Sequence, residues 1–258
     1  MSPPRVALAR PLGAGRGAGV AASLGLLLLW WLAAEIRVGG RALLASPWAT
    51  LRALPPGAGE LLVDLGATLG RAGLGLVAGL LLGLLLGVAA AALHRRLPLV
   101  EGLLDGARSV PPVILLPLFL LAFGYNEGAR IVTVAAGCSW SIALAVVTAA
   151  RAPRSARREL LDLAGASRLQ ALCWTQPFEA LAELVVGIRN AASTAVVVAV
   201  VSEMLAGADH GIGSRVVMAQ VAGDTVGVTT GILAIGVAGY LINRGLRGLE
   251  EWGRGLLS

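Results

Sequence analysis

Lysine is absent from this sequence, and cysteine and histidine are scarce. The 21 basic residues are all arginine, and there are two cysteines and two histidines. Without lysine the chain can form neither a phosphate-binding loop of the G-x-x-x-x-G-K-[ST] type nor a lysine Schiff base. Cys138 and Cys173 lie 35 residues apart, a spacing that matches neither a metal cluster nor a disulfide framework. The sequence therefore predicts no catalytic residue and no metal site.

Charge is also scarce, and long hydrophobic runs replace it. The 258 residues are 57% hydrophobic and 14% charged, with a mean hydropathy of +0.80. Several runs approach the roughly 20 residues that cross a bilayer as a helix. The sequence therefore predicts an all-α integral membrane protein with six crossings. The predicted spans are residues 19–34, 72–93, 109–124, 131–150, 191–208 and 225–243.

The first and third predicted spans have features that are unusual for a membrane helix. Three arginines precede the first span, as in a signal peptide, but the Leu-Ala-Ala-Glu after Trp31 is a poor cleavage sequence. We expect the segment to be retained, with cleavage as the alternative. The third span contains three prolines, and we expect a kink at Pro117.

The distribution of arginine predicts the orientation. With six crossings and the N-terminus inside, inner segments hold 15 arginines and outer segments hold 6. This agrees with the excess of positive charge on the cytoplasmic side of membrane proteins. We therefore expect both termini in the cytoplasm.

The second span carries a glycine ladder, Gly75, Gly79, Gly83 and Gly87, with a spacing of four residues. This spacing puts the glycines on one helix face, where another backbone can approach closely. We expect a contact within the subunit, with a contact across a dimer as the alternative.

Charged side chains are missing from the deep parts of the predicted spans. An ion-coupled carrier usually holds carboxylates, histidines or arginines at that depth, so this class is disfavoured. Glu203 lies toward the end of the fifth span, and we expect it at a solvated helix end.

A polar interval from Arg154 to Arg189 separates the fourth and fifth spans. Its spacing predicts a short helix over 155–164, a turn at Gly165 and a second helix that Pro177 ends or bends. A membrane protein that keeps so organised a segment outside the bilayer is expected to offer it to a soluble partner.

This interval resembles the loop of permease subunits of binding-protein-dependent ABC importers. The signature places a Glu at 159, Gly-Ala six residues later, a Pro at 177 and Gly-x-Arg at 187–189; Leu160-Leu161 and Gln176 depart from it. Residues 109–124 and 200–216 are similar to motifs of the taurine, alkanesulfonate and nitrate group, and of pyrimidine-precursor permeases. The resemblance implies the six-helix transmembrane domain of a type I ABC importer.

The resemblance also implies a role for each matched residue. Residues 1–60 would hold the first helix and an outer connection, residues 61–248 the transmembrane domain with a coupling loop at 151–190, and residues 249–258 a cytoplasmic tail. Contacts with the ATPase are expected at Glu159, Gly165, Ala166 and Pro177, closure of the loop at Gly187 and Arg189, and an outer exit region at Glu203, Gly211 and Gly213.

The implied partners are an ABC ATP-binding subunit, a periplasmic or lipid-anchored substrate-binding protein and a second copy of this chain. ATP and Mg would be bound by the ATPase, with no cofactor in this chain. The expected location is the bacterial inner membrane, and the expected cargo is a small sulfonate-, taurine- or nitrate-like solute or a pyrimidine precursor. A channel or a membrane-embedded enzyme that is not driven by ATP is the alternative.

Overall fold

The computed structural model describes residues 16–38, 40–94, 102, 106–107, 109–151, 163–165 and 168–257. Within these ranges the chain is almost entirely helical. We number the helices α1 (Arg16–Glu35), α2 (Pro47–His94), α3 (Leu116–Phe123), α4 (Glu127–Arg151), α5 (Arg168–Ala206), α6 (Ile212–Ala222) and α7 (Thr225–Leu257).

A small hairpin connects α1 to α2. The two-residue strands β1 (Arg37–Val38) and β2 (Arg41–Ala42) pair in antiparallel fashion. Trp30 Nε1 then donates a hydrogen bond to the carbonyl of Ala45 at 3.0 Å. The amide of Ala45 donates to Thr229 Oγ1 at 3.1 Å. These bonds join the end of α1 to the beginnings of α2 and α7.

Each predicted span coincides with an apolar helix of the described residues, but only four of these helices are long enough to cross a membrane and not every boundary agrees. Four stretches are long and apolar enough to cross a membrane, namely Pro47–Ala91, Glu127–Ala149, Glu183–Ala206 and Thr225–Gly248. The shorter apolar helices Gly19–Glu35 and Pro112–Phe123 occupy the first and third predicted spans. A further short apolar helix, α6, was not predicted.

Helix α2 begins 25 residues before the predicted start of the second span at residue 72. Much of the predicted outer connection is therefore helical, although Pro55 and Pro56 lie inside it. Each proline removes one backbone hydrogen bond. Thr50 and Asp64 are nonetheless buried on either side of them, so packing against the other helices keeps this part of α2 in place.

The kink predicted at Pro117 is absent because the helix begins there instead. Residues Pro112–Leu115 form a 3-10 turn, and Pro117 lies in the first turn of α3. A proline at that position loses no intrahelical hydrogen bond, and its fixed φ suits the start of a helix. The change from 3-10 turn to α-helix therefore falls between Leu115 and Leu116, just before Pro117.

The glycine ladder faces α4. A Cβ at Gly79 would lie 2.6 Å from the Cβ of Cys138, and one at Gly87 would lie 2.6 Å from the Cβ of Val146. Both distances are shorter than any ordinary carbon contact, so α2 and α4 touch through backbone. The core beside this contact consists of small and β-branched residues, including Ala72, Val134, Cys138, Ile142, Ala191 and Ala195.

Candidate functional site

The residues expected to carry function lie in two regions at opposite ends of the bundle. Helix α4 runs from Glu127 at one end to Arg151 at the other. The coupling loop begins at the Arg151 end. Glu203, Gly211 and Gly213 lie at the Glu127 end, where Arg71 of α2 contacts Glu127.

The coupling loop contains a sharp, exposed turn. Gly165 has a φ of +77°, which lies in the left-handed region that favours glycine. Its position for a Cβ has no neighbour within 4 Å. Leu163, two residues earlier, is 84% exposed. Glu159 and Ala166 lie outside the described residues.

Pro177 does not end the second helix of the coupling loop, so that part of the prediction is wrong. Helix α5 begins at Arg168 and continues through Pro177 to Ala206. A proline in a helix interior removes one backbone hydrogen bond and costs about 3 kcal/mol, and the helix nonetheless continues past Pro177.

Gly187 lies at a close approach of α5 to α4. It is buried, and a Cβ there would lie 2.6 Å from the Cβ of Ala145. Arg189 is half-buried two residues later. The Gly-x-Arg of the coupling loop therefore belongs to a packed helix contact.

At the Glu127 end, four helices contribute seven residues to a partly buried network, which we call the polar cluster. Its members are Asp64, Thr68 and Arg71 of α2, Glu127 and Arg130 of α4, Glu203 of α5 and Arg215 of α6.

Arg71 is the centre of the polar cluster. Its Nε and Nη2 donate to the two carboxylate oxygens of Glu127 at 2.5 and 2.9 Å. Its Nη1 donates to Glu203 Oε1 at 2.6 Å. Planar bidentate pairs of this kind are among the stronger hydrogen bonds in proteins. One guanidinium thus joins α2, α4 and α5.

Glu203 is completely buried, with an exposure of 0%, so the expectation of a solvated helix end is wrong. Besides Arg71, its carboxylate accepts bonds from the hydroxyl of Thr68 at 2.9 Å and the amide of Gly213 at 2.9 Å. A buried carboxylate is costly unless it is paired and hydrogen-bonded. These partners meet that requirement.

The first amides of α6 are bound by side chains from other helices. The helix has no side-chain cap of its own at Gly211. The amide of Gly211 donates to Asp64 Oδ1 at 3.0 Å, and that of Ile212 donates to Thr68 Oγ1 at 2.9 Å. Helix N-termini favour negative partners because their amides are unpaired and their dipole is positive.

Glycine is required at both 211 and 213 for this arrangement. Gly211 has a φ of +154°, and a Cβ there would lie 2.6 Å from the carboxylate carbon of Glu203. A Cβ at Gly213 would lie 2.8 Å from Glu203 Cβ. The structure thus brings together the three residues of the predicted outer exit region.

The seven residues of the polar cluster include three carboxylates and three guanidinium groups, and Arg215 also pairs with the exposed Glu60 at 3.2 Å. Arg215 Nε donates to Asp64 Oδ2 at 2.5 Å. Arg130 Nη1 donates to Glu127 at 3.0 Å, and its Nη2 donates to the carbonyl of Gly207. Hydrogen-bonded charges of this kind hold a fixed geometry in a buried environment.

Sequence reasoning missed most of the polar cluster. Asp64, Thr68 and Arg71 are spaced by four and three residues and therefore share one face of α2. This spacing was a usable signal, but the second span was predicted to begin at residue 72. Among the described residues, no group of three or more histidine, cysteine or acidic residues could hold a metal ion.

Comparison with known proteins identifies relatives of the whole chain. No family model matches the sequence. It is 30% identical to the taurine transport system permease protein TauC of Escherichia coli K12, over 88% of this chain and 84% of that protein. It is 29% identical to the putative aliphatic sulfonates transport permease protein SsuC of Bacillus subtilis 168, over 75% of this chain and 70% of that protein.

The fold is similar to that of solved transporters. Two structures of inward-facing conformations of the MetNI methionine ABC transporter match with TM-scores of 0.63 and 0.56. The identities are 22% and 24%, and the matches cover 77% and 80% of this chain and 98% and 96% of those chains. The chain has the transmembrane fold of a type I ABC importer, and it belongs to the family of multi-pass inner-membrane permease subunits of ABC importers.

Proposed function

We propose that this permease carries a small sulfonate-like solute inward, driven by a separate ATP-binding subunit that contacts the coupling loop. The coupling loop and both termini face the cytoplasm, and the polar cluster faces the outside. The distribution of arginine supports this orientation, with 15 on the proposed inner side and 6 on the outer side.

The continuity of α5 is the observation that carries the proposal. The helix begins at Arg168, three residues after the turn at Gly165, and passes Glu203 before it ends at Ala206. Its 39 residues extend about 58 Å. One helix therefore connects the exposed turn of the coupling loop to the polar cluster.

Contact with α4 divides α5 into two arms. We take Gly187 as the pivot, since a Cβ there would lie 2.6 Å from Ala145 Cβ of α4; it is about 28 Å from Arg168 and about 24 Å from Glu203 along the helix. A rigid rotation about Gly187 would convert a displacement of about 3 Å at Arg168 into about 2.5 Å at Glu203. Hydrogen bonds do not survive a change of that size.

The turn at Gly165 provides the contact with the ATP-binding subunit. An exposed leucine beside an unobstructed turn is suited to a groove on another protein, because Leu163 would lose its contact with water there. Glu159 and Ala166 complete the contact, and Pro177 lies on the part of α5 that follows the turn. ATP and Mg bind to the partner, and this chain is a non-catalytic transport subunit.

A second copy of the chain and a soluble receptor complete the importer. A single bundle of this size is too small to enclose a path for a solute. The faces of α2 and α7 that carry Gly66, Gly70, Gly236 and Gly239 have open space beside them, as close helix contact between copies requires. A periplasmic or lipid-anchored binding protein delivers the solute at the polar-cluster end.

The names of the relatives support a sulfonate as cargo. TauC is named for taurine and SsuC for aliphatic sulfonates. Both solutes are small organic sulfonates, so we infer that the cargo of this permease carries a sulfonate group as well.

Uptake by the reconstituted complex tests the proposal. Proteoliposomes that hold the permease and its ATP-binding subunit, with the receptor added outside, are expected to take up labelled taurine or an alkanesulfonate only with ATP inside. Uptake without ATP would indicate a channel. Failure of every sulfonate, with ATP-dependent uptake of another solute, would overturn the cargo alone.

Two substitutions at Gly165 test the coupling loop. Gly165→Asn keeps a residue that tolerates positive φ, and we expect it to retain uptake. Gly165→Trp adds a large side chain at a position with no described neighbour within 4 Å, so a bound partner would collide with it, and the φ of +77° also strains a tryptophan there. We expect loss of uptake and of the bound ATPase. Full uptake with Gly165→Trp would show that the ATP-binding subunit acts on a part of the permease other than this turn.

A further inference from the structure

Three neighbouring hydrogen bonds connect the start of α6 to α2 and α5. Its first three amides, from Gly211 to Gly213, are held by side chains of α2 and α5 at 2.9 to 3.0 Å. A shift of about 1 Å would break all three bonds together. The start of α6 would therefore leave α2 and α5 in one step, while later residues stay packed on α7, where a Cβ at Gly231 would lie 2.6 Å from Val216 Cγ2.

The segment between α5 and α6 has a glycine at each end. Gly207 has a φ of +66° and Gly211 a φ of +154°, conformations that other residues rarely adopt. The carbonyl of Gly207 accepts a bond from Arg130. Since glycine also tolerates many other conformations, this five-residue segment can change direction when its contacts are released.

One of the three bonds to α6 comes from Glu203 of α5, and the other two come from Asp64 and Thr68 of α2. Glu203 accepts bonds from Arg71 at 2.6 Å and from Gly213 at 2.9 Å. Glu203 is also at the far end of α5 from the coupling loop. A rotation of α5 that displaces Glu203 by about 2.5 Å exceeds what these bonds tolerate.

We propose that the polar cluster is a latch for α6, and that movement of α5 opens it once in each transport cycle. In the closed state Arg71, Glu203 and Asp64 hold α6 against α2 and α5. When the coupling loop moves, Glu203 leaves Arg71 and Gly213, which weakens the hold of the cluster on the start of α6 and lets this end of the helix move to open the outer end. The inference rests on the proposed ATP-driven function. Arg71 and Glu203 are positioning residues in this scheme.

Accessibility of α6 tests the latch. Ile212 is buried with an exposure of 0%, whereas Met218, six residues later on α6, is 73% exposed. In a background with Cys138→Ala and Cys173→Ala, we would introduce Ile212→Cys or Met218→Cys. The permease is assembled with its ATP-binding subunit and receptor and treated from outside with a membrane-impermeant maleimide, without nucleotide or trapped with ATP and vanadate.

The expected results differ between the two reporters. Ile212→Cys is protected without nucleotide and reacts about tenfold faster in the trapped complex, because the latch is then open. Met218→Cys reacts equally in both states. An equal, slow reaction of Ile212→Cys in both states, in a complex that takes up solute, would overturn the latch. Absence of ATP-dependent uptake in the unsubstituted complex would instead refute the proposed function.

Glu203→Gln provides a second measurement that does not depend on the cysteine reporters. It keeps the shape of the side chain and removes the charge that pairs with Arg71. We expect the latch to open without the coupling movement, which raises the amount of ATP hydrolysed per solute transported severalfold. A simple structural contact would lower the amount of assembled complex and leave this ratio unchanged, which would contradict the proposal.

Discussion

A methyl group added to the glycine ladder is expected to destabilise the bundle. In Gly79→Ala the new Cβ would lie 2.6 Å from Cys138 Cβ and 2.7 Å from the carbonyl oxygen of Ala135. Carbon atoms pack at roughly 3.5–4.0 Å, so α2 and α4 must separate by about 1 Å. Overpacking of this kind costs typically 1–3 kcal/mol, and the backbone atoms at this contact cannot rotate away as a side chain would.

Gly73→Ala is the matched control on the same helix. No atom lies within 4 Å of its Cβ position, and alanine favours a helix over glycine by about 0.5–1 kcal/mol. The gain in helix propensity is common to both variants, so we expect them to differ by the overpacking cost of roughly 1–3 kcal/mol, with Gly79→Ala the less stable. Thermal unfolding of the purified permease in detergent measures the difference. Equal midpoints would refute the close contact between α2 and α4.

Three further predictions concern exposed and buried side chains at the two ends. Leu163→Asp is expected to reduce the amount of ATP-binding subunit that co-purifies with the permease. Tyr125 is 80% exposed at the other end of the bundle, so Tyr125→Asp is expected to leave that amount unchanged. Equal amounts with both variants would show that Leu163 is not in the interface. Arg71→Ala leaves Glu203 buried without its charge partner and should lower the free energy of unfolding by about 3–5 kcal/mol. Arg52 instead lies over the exposed ring of Trp48, so Arg52→Ala should lower it by less than about 1 kcal/mol. In intact cells an impermeant maleimide should label Tyr125→Cys and spare Leu163→Cys; the reverse pattern would invert the topology.

Local features of the fold were predictable because each depends on neighbouring residues in the sequence. The spacing of Gly75 and Gly79 defines one helix face, whichever helix packs against it. The turn at Gly165 was predictable for the same reason, since a glycine between two helical segments favours a left-handed conformation. The apolar runs indicate where the chain can cross lipid.

The polar cluster was not predictable because its pairs are distant in the sequence. Arg71 and Glu127 are 56 residues apart, and Asp64 and Arg215 are 151 residues apart. A hydropathy profile scores each of these charged residues separately as unfavourable in a membrane span, and it contains no information about which residues pair. The burial of Glu203 follows from the packing of four helices, which no single segment encodes. Pro177 shows the converse, since a strong local signal for a helix end was overridden by the continuous helix around it.

The bond between Ala45 and Thr229 has a consequence for how the chain is made. The two groups are 184 residues apart, so at about 5–20 residues per second a ribosome needs roughly 10–40 s to produce the second after the first. During that interval the amide of Ala45 lacks its final partner. The connection after the first helix therefore forms its last hydrogen bond only when the last helix has been inserted. A nascent protein stalled before Thr229 is expected to be cleaved more readily by proteases near Ala45.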